Sequence, residues 1–177
     1  MASDQHADSP AAAPLAPGPE AGVPFRSVGF TLSTLGFAVS AGFAERLAPL
    51  GIEPRDFALL RGVGAAEGSS QQAVGERLGI PPSRMVGFVD ALEQRGLLER
   101  RAHPEDRRAR ALHLTGAGRA LLQEGFAVAV AFEYELRSGL GAGEREQLLD
   151  LLAEVTAALG LRPGVHAAHL AGAPPGA

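Results

Sequence analysis

An arginine-rich segment, HPEDRRAR from His103 to Arg110, contains the residue types that bind phosphate. A guanidinium group keeps its charge and offers paired donors to phosphate oxygens and guanine edges. From Arg95 to Arg119 there are seven arginines and three acids, which gives this segment a charge of +4. The whole chain carries −4, so the remainder carries −8. Positive charge is therefore concentrated in one place, which is typical of a nucleic-acid-binding surface.

Two shorter groups of residues have the chemistry to accompany it. Ser70, Gln71 and Gln72 begin one predicted helix, where amides and polar side chains contact the DNA backbone. Ser83, Arg84 and Gly87 lie in the first half of the next helix, where base-reading side chains belong. The sequence leaves two roles open for Gly87: close approach to DNA, or a contact between helices.

A helix-turn-helix must position these residues. The sequence predicts a first helix over 71–78, capped by Ser70 and ended by Gly79. A second helix follows over 83–95 and stops at Gly96. On it, the residues predicted to face the core are Met85, Val86, Val89 and Leu92.

The apolar period then changes from 3.6 to 2, which predicts two strands. They cover 97–101 and 109–114, around a turn at 104–106. A hairpin directly after a helix-turn-helix makes a winged helix, whose second helix enters the DNA major groove. The tip would carry Arg107, Arg108 and Arg110 to phosphates or to the minor groove, with Asp106 orienting a neighbouring arginine.

Further helices are predicted on both sides, over 27–47, 116–136 and 144–159, with one more starting at Pro54. The fold class is mainly α with a small β wing, in one domain over 25–160. Residues 1–24 are predicted to be a disordered tail and 161–177 a flexible one, because both are rich in Ala, Gly and Pro. The uncharged run 27–44 contains serines, threonines and glycines, so we expect a buried soluble helix and no membrane insertion.

Several other functions are disfavoured. Cysteine is absent, which excludes disulfides, thiol sensing and cysteine-type zinc sites. We find no nucleophile with a base and no phosphate-binding loop, so no enzyme and no cofactor is expected. His166 and His169 would share a helix face near Asp150 and Glu154, but two histidines fall short of a zinc site, and no metal is predicted.

The segment SSQQAVGERLGIPPSRMVGFVDALEQRGLLERRAHPEDRRARALHLTGAGRALL resembles the MarR (multiple antibiotic resistance regulator) family of bacterial transcription factors. QRGLLER, DRR and LHLTGAGR carry the resemblance by their order and spacing, and the flanking helices extend it to about 27–160. It implies a cytoplasmic homodimer that binds a pseudo-palindromic operator on double-stranded DNA, usually as a repressor. Helices at 27–50 and 116–160 would dimerise, and 53–115 would bind DNA.

The resemblance also implies residue roles. The family's D-x-R wing pair falls on Asp106 and Arg108, as a salt bridge. A small organic effector often relieves DNA binding and lies between the dimerisation helices and the winged helix, where Phe30, Phe57 and Arg61 could line the cleft. The competing interpretation is that both phenylalanines belong to the core and Arg61 is solvated. Two alternatives remain for the whole chain: a zinc-responsive regulator, or a winged helix that binds only proteins.

Overall fold

A computed structural model describes residues 27–102 and 110–161. Most of the two predicted tails, and the hairpin tip at 103–109, lie outside these residues. The chain divides into two compact units, one up to Phe37 and one from Ala38 onward. The winged helix lies in the second unit.

The described residues form a mainly helical chain with one two-stranded sheet, which confirms the predicted fold class. The elements are α1 (Val28–Leu47), a 3-10 turn (Ala48–Leu50), α2 (Pro54–Gly64), α3 (Gln71–Leu78), α4 (Pro82–Gln94), β1 (Leu98–Ala102), β2 (Arg110–Leu114), α5 (Gly116–Leu136) and α6 (Ala142–Ala158). Predicted bounds differ from these by two residues at most, because glycine, proline and capping residues end most of the elements.

The core of the second unit lies between α2, α3, α4, the sheet and the start of α5. Its largest fully buried side chains are Leu47, Leu59, Leu60, Met85, Leu92, Leu98 and Leu112. Phe57, Leu59, Leu60 and Val63 form the buried face of α2. β1 and β2 pair antiparallel from Leu98 opposite Leu114 to Ala102 opposite Arg110. The sheet is thereby anchored at its Leu98–Leu114 end, and its other end projects toward the wing tip.

The first turn of α5 is packed tightly against the chain segment before β1. Thr115 caps the helix, since its hydroxyl accepts from the Gly118 amide at 3.0 Å and donates to the Gly96 carbonyl at 2.6 Å. A Cβ atom on Gly118 would stand 2.0 Å from the Leu97 carbonyl oxygen. About two helical turns later, a Cβ on Gly125 would stand 2.7 Å from the Phe57 ring. Both glycines let α5 approach closer than any side chain would allow.

The second half of α1 is fastened to α5 by aromatic and ionic contacts. The ring of Phe43 stacks on Phe132 at 6.0 Å and meets the edge of Phe57 at 5.8 Å. Arg46 lies 4.5 Å from the centre of the Phe132 ring and pairs with Glu135. These contacts set the direction in which α5 leaves the winged helix.

α5 and α6 expose much apolar surface. The exposed residues on and beside them are Phe126, Val130, Tyr134, Leu136, Leu140, Leu148, Leu149, Leu151, Leu159 and Leu161. Neither helix has a continuous buried stripe, and α6 has no buried residue at all. Exposed apolar patches of this kind mark sites of interaction with proteins, membranes or ligands.

α1 also exposes Val28, Phe30, Leu35 and Phe37, and Leu47 is its one buried residue. The stretch Val28–Leu50 is long and apolar enough to cross a membrane, with a mean hydropathy of 1.2. A core helix of a soluble protein meets the same criteria of length and composition.

Candidate nucleic-acid interface

The turn between α3 and α4 is built by Gly79 and the residues beside it. Gly79 takes a left-handed conformation at φ 68°, which ends α3. The Ile80 amide then donates to the Gly75 carbonyl at 2.8 Å. Gly75 is buried, and a Cβ there would stand 3.2 Å from the Ile80 carbonyl oxygen, so the close approach favours glycine. The two helices are therefore held close, in the arrangement of a helix-turn-helix.

One face of α4 is anchored in the core through Met85, Val89 and Leu92, each at most 1% exposed. The prediction that Val86 also faces the core is wrong, since this side chain is 48% exposed. The helical period explains the error. A stripe through Met85, Val89 and Leu92 leaves position 86 about 100° away from it, and the apolar residue type alone suggested burial.

The other face of α4 begins with exposed Ser83, and Arg84 beside it is half-buried. Gly87 is exposed, and a Cβ built on it would meet nothing within 4 Å. Of the two roles left open for Gly87, a helix contact therefore finds no partner among the residues described. A mid-helix glycine costs about 1 kcal/mol relative to alanine. Because this cost is not offset by a contact among the described residues, the remaining role for Gly87 is close approach of another molecule, such as DNA.

The three residues predicted to contact the DNA backbone lie at the start of α3, and each has a partner inside the fold. Ser70 caps the helix, with its hydroxyl accepting from the Ala73 amide at 3.1 Å. Gln72 is exposed and donates to Glu76 at 2.9 Å. Gln71 accepts from the Arg100 guanidinium at 3.1 Å. Ser70 and Gln71 thus have structural partners, and of the three Gln72 is the most open to solvent.

Arg100 is a residue that the sequence interpretation missed. Its guanidinium donates to Asp90 at 2.6 Å, pairs with Glu93, and reaches Gln71 on α3. Only 19% of the side chain is exposed. It joins β1 to both helices of the helix-turn-helix and shares its one positive charge between two carboxylates on α4. Strand alternation could have revealed it, because Arg100 shares a sheet face with buried Leu98.

Arg95 fixes the other end of α4. Its guanidinium donates to Asp56 at 3.1 Å and to the Gly51 carbonyl at 2.7 Å. Asp56 in turn accepts from the Glu53 amide at 3.3 Å, which caps α2. Arg95 therefore positions α4 on α2, although the sequence counted it as part of the positively charged segment.

At the wing, Arg110 is exposed and pairs with Ala102 at the free end of the sheet. Asp106, Arg107 and Arg108 lie outside the described residues, so the predicted salt bridge between Asp106 and Arg108 stays a prediction. Arg110 begins β2, which pairs with β1, and Arg100 on β1 is bonded to α4. The described part of the sheet and α4 are therefore joined by side-chain contacts.

A second ionic cluster supports the base of the wing. Glu67 receives two donors from Arg119, at 2.6 and 2.9 Å, and lies 4.0 Å from His113. The Arg119 hydrogen bond holds the pKa of Glu67 below its ordinary value and raises that of Arg119. A lowered carboxyl pKa means that Glu67 stabilises the fold above the ordinary pKa, and that this contribution is lost as pH falls through the folded-state value.

The three residues predicted for an effector cleft differ in their surroundings. Phe30, in the first unit, is 60% exposed. Phe57 is 6% exposed and packs edge-on against Phe126 at 5.4 Å. Arg61 is exposed on α2. The second unit also has a cleft of about 400 Å³, lined by Ala44, Ala48, Gly51, Ile52, Glu53, Pro54, Arg55, Asp56, Ala91 and Arg95. None of the three predicted residues lines it.

Metal-binding side chains do not converge within residues 27–102 and 110–161, where no three His, Asp or Glu residues form a candidate metal site. His166 and His169 lie outside that part of the chain.

Comparison with known proteins gives this arrangement a context. Residues 50–109 match the family model described as "MarR family". A structure titled as the transcriptional repressor CouR bound to a 23-mer DNA duplex is 34% identical, with a TM-score of 0.67 over 73% of this chain and 92% of that one. A MarR-family regulator from Rhodococcus sp. RHA1 is 32% identical, with a TM-score of 0.62 over 72% and 91%. The HTH-type transcriptional regulator YkoM of Bacillus subtilis is 29% identical over 120 residues, which are 68% of this chain and 73% of the YkoM chain.

Proposed function

Because the chain belongs to the MarR family of DNA-binding transcriptional regulators, we propose that it is a homodimeric repressor. It binds a pseudo-palindromic operator in the cytoplasm and is released by a small organic effector. The observation that carries the proposal is the 34% identity to a repressor bound to a 23-mer duplex, over 92% of that chain. The relatives are regulators and not enzymes, in agreement with the sequence.

The DNA-binding surface consists of the exposed face of α4, the start of α3 and the wing. Ser83, Arg84 and Gly87 lie toward the beginning of α4, the part of a recognition helix that meets base edges. Ser70, Gln71 and Gln72 at the start of α3 are placed for the DNA backbone. Arg107, Arg108 and Arg110 are assigned to phosphates and the minor groove, with Asp106 bracing Arg108.

Substitution of the two arginines separates positioning from reading. We expect Arg108→Ala to weaken binding about equally at all duplexes and to reduce the salt slope by about one. Arg84→Ala is expected to cost about 1–3 kcal/mol at the preferred duplex and to relax base preference there. Fluorescence anisotropy on the protein's own promoter region, against a scrambled duplex at several salt concentrations, measures both. The DNA assignment fails if neither variant alters affinity.

The apolar surfaces of α5 and α6 support the homodimer. Val130 is 54% exposed, and Phe126 and Tyr134, four residues to either side, are exposed on the same face of α5. Leu148, Leu149 and Leu151 add a similar surface on α6. A second copy would bury these side chains and explain why α1 is so apolar, without requiring a membrane.

We therefore expect Val130→Glu to yield monomers, because a dimer would have to bury an unpaired carboxylate. Sedimentation velocity should show the change as at least a tenfold weaker dimer. Val86→Glu is the matched control: it makes the same substitution at a valine of similar exposure, 48%, on α4. The dimer assignment is contradicted if Val130→Glu sediments like the unchanged protein, or if both variants dissociate alike.

The effector proposal rests on relatives. A CouR structure from Rhodococcus jostii RHA1, 33% identical, is described as bound to p-coumaroyl-CoA. Phe30, Phe57 and Arg61 stay the proposed lining in this chain, with Arg61 as the anion partner. The burial of Phe57 among aromatic rings favours a core role for that residue.

An organic anion of this class should raise the melting temperature and lower duplex affinity together. The series to use is p-coumaroyl-CoA, p-coumarate and CoA alone, with Arg61→Ala to test the anion partner. We expect at least one compound to act, and Arg61→Ala to weaken its effect about tenfold, as for a lost charged contact. A series without any coupled shift contradicts release by this class of effector.

A response to zinc alone would favour the metal-responsive alternative, and specific protein capture without duplex binding would favour the interaction module.

A further inference from the structure

Val86 is an apolar residue in an unusual place. Among the described residues from 38 to 125, it is the one large hydrophobic side chain that is strongly exposed. Its neighbours Met85 and Val89 hold α4 in the core, so the helix cannot rotate to bury Val86 without exposing them. The exposure is thus fixed by the packing of α4.

Gly87, the residue after Val86, adds no side chain to the exposed surface of α4. The glycine is exposed, and a Cβ there would have open space around it. Its absence of a side chain weakens the helix without serving a contact among the described residues. What Gly87 supplies is a flat surface that another molecule can approach closely.

The polar residues on either side of this pair complete the surface. Ser83 lies one turn earlier and is exposed. Asp90 lies one turn later, and its carboxylate is held by Arg100 at 2.6 Å. Arg100 shares its positive charge between Asp90 and Glu93, which reduces the repulsion between the surface around Val86 and a polyanion.

We propose that Val86 and Gly87 determine operator specificity, with Val86 against a thymine methyl group in the major groove and Gly87 permitting that approach. The inference rests on the proposed DNA binding and adds the base that is read. Thymine alone presents a methyl group in the major groove, and an apolar side chain is its natural contact. Val86 occupies the N-terminal half of α4, the part of a recognition helix that meets base edges.

A protein partner fits this surface less well. A stable interface buries about 800 Å² on each side around a cluster of apolar residues. Val86 stands alone between serine, glycine and a paired aspartate, whereas the clustered apolar surface of the chain lies on α5 and α6. A single valine is enough for one methyl group and too little for a protein interface.

The experiment uses the full chain and duplexes selected by it from a random pool. In the selected duplex, each thymine is replaced in turn by deoxyuridine, which removes only the methyl group. We expect one thymine in each half-site at which this weakens binding about fourfold, the effect of one buried methyl group. Val86→Ala changes both subunits of the proposed dimer, so it should bind the thymine duplex about as weakly as the unchanged protein binds a duplex with deoxyuridine in both half-sites. The variant should also lose its response to deoxyuridine at that position alone.

Gly87→Ala provides the second measurement. It should raise the melting temperature, as expected from helix propensity, while weakening binding to the selected duplex at least tenfold. Val86→Ala still responding to deoxyuridine, or Gly87→Ala binding normally, would overturn the inference while leaving DNA binding intact. A chain that selects no duplex at all would instead overturn the proposed function, and this inference with it.

Discussion

Replacing Gly118 by alanine is expected to destabilise the protein by about 3 kcal/mol or more. The new Cβ would stand 2.0 Å from the Leu97 carbonyl oxygen, and this neighbour is backbone that no rotamer change can move. The same carbonyl accepts from the Thr115 amide at 3.2 Å, so its displacement also weakens the start of α5. The clash therefore acts on the junction between the wing and the long helix.

Gly116→Ala is the matched control, since it adds the same methyl group two residues earlier on the same helix. Nothing lies within 4 Å of a Cβ at that position. Urea unfolding followed by circular dichroism should show a large loss for Gly118→Ala and a change within about 0.5 kcal/mol for Gly116→Ala. Equal stability of the two variants would mean that the junction is looser than the contact at Leu97 implies.

The sequence was most informative where local chemistry decides the structure. Ser70 and Thr115 each cap a helix through their hydroxyl oxygen, and Gly79 supplies a left-handed residue. These effects act within four residues, so they are visible in a linear sequence. The winged-helix order followed from them together with the change of apolar period.

Contacts between distant elements were harder to predict. Val86 was assigned to the core from its residue type, although the anchoring stripe of α4 passes beside it. Gly118 and Gly125 carried no warning of the close approaches to Leu97 and Phe57, which depend on how α5 crosses the fold. Arg100 was counted only as charge, because its partners are 7, 10 and 29 residues away in the chain.

Arg100 shows that not all arginines in the positively charged segment from Arg95 to Arg119 are available for DNA. The sequence suggested that its arginines form a DNA-facing surface, yet Arg95 and Arg100 are both engaged within the protein. Within the segment from Arg95 to Arg119, the proposed DNA contacts then fall to the wing arginines Arg107, Arg108 and Arg110, and Arg100 instead holds α4 in position. It is a positioning residue, since its bonds run to α3 and α4.

Arg100→Gln is expected to lower duplex affinity about tenfold to 100-fold while costing only about 1 kcal/mol of stability. The stability cost is small because Asp90 and Glu93 stay partly solvated, at 46% and 39% exposure. The affinity cost is larger because both carboxylates become unpaired on a helix that approaches phosphate, and like charges repel across an interface.

The triple variant Arg100→Gln/Asp90→Asn/Glu93→Gln separates this mechanism from a direct DNA contact. It removes the cation and both carboxylates, so affinity should recover to within about fivefold of the unchanged protein if repulsion is the cause. If Arg100 instead bound phosphate, the triple variant would stay as weak as Arg100→Gln, and the single variant would also lower the salt slope. Anisotropy titrations at several salt concentrations, with urea unfolding in parallel, distinguish the two outcomes.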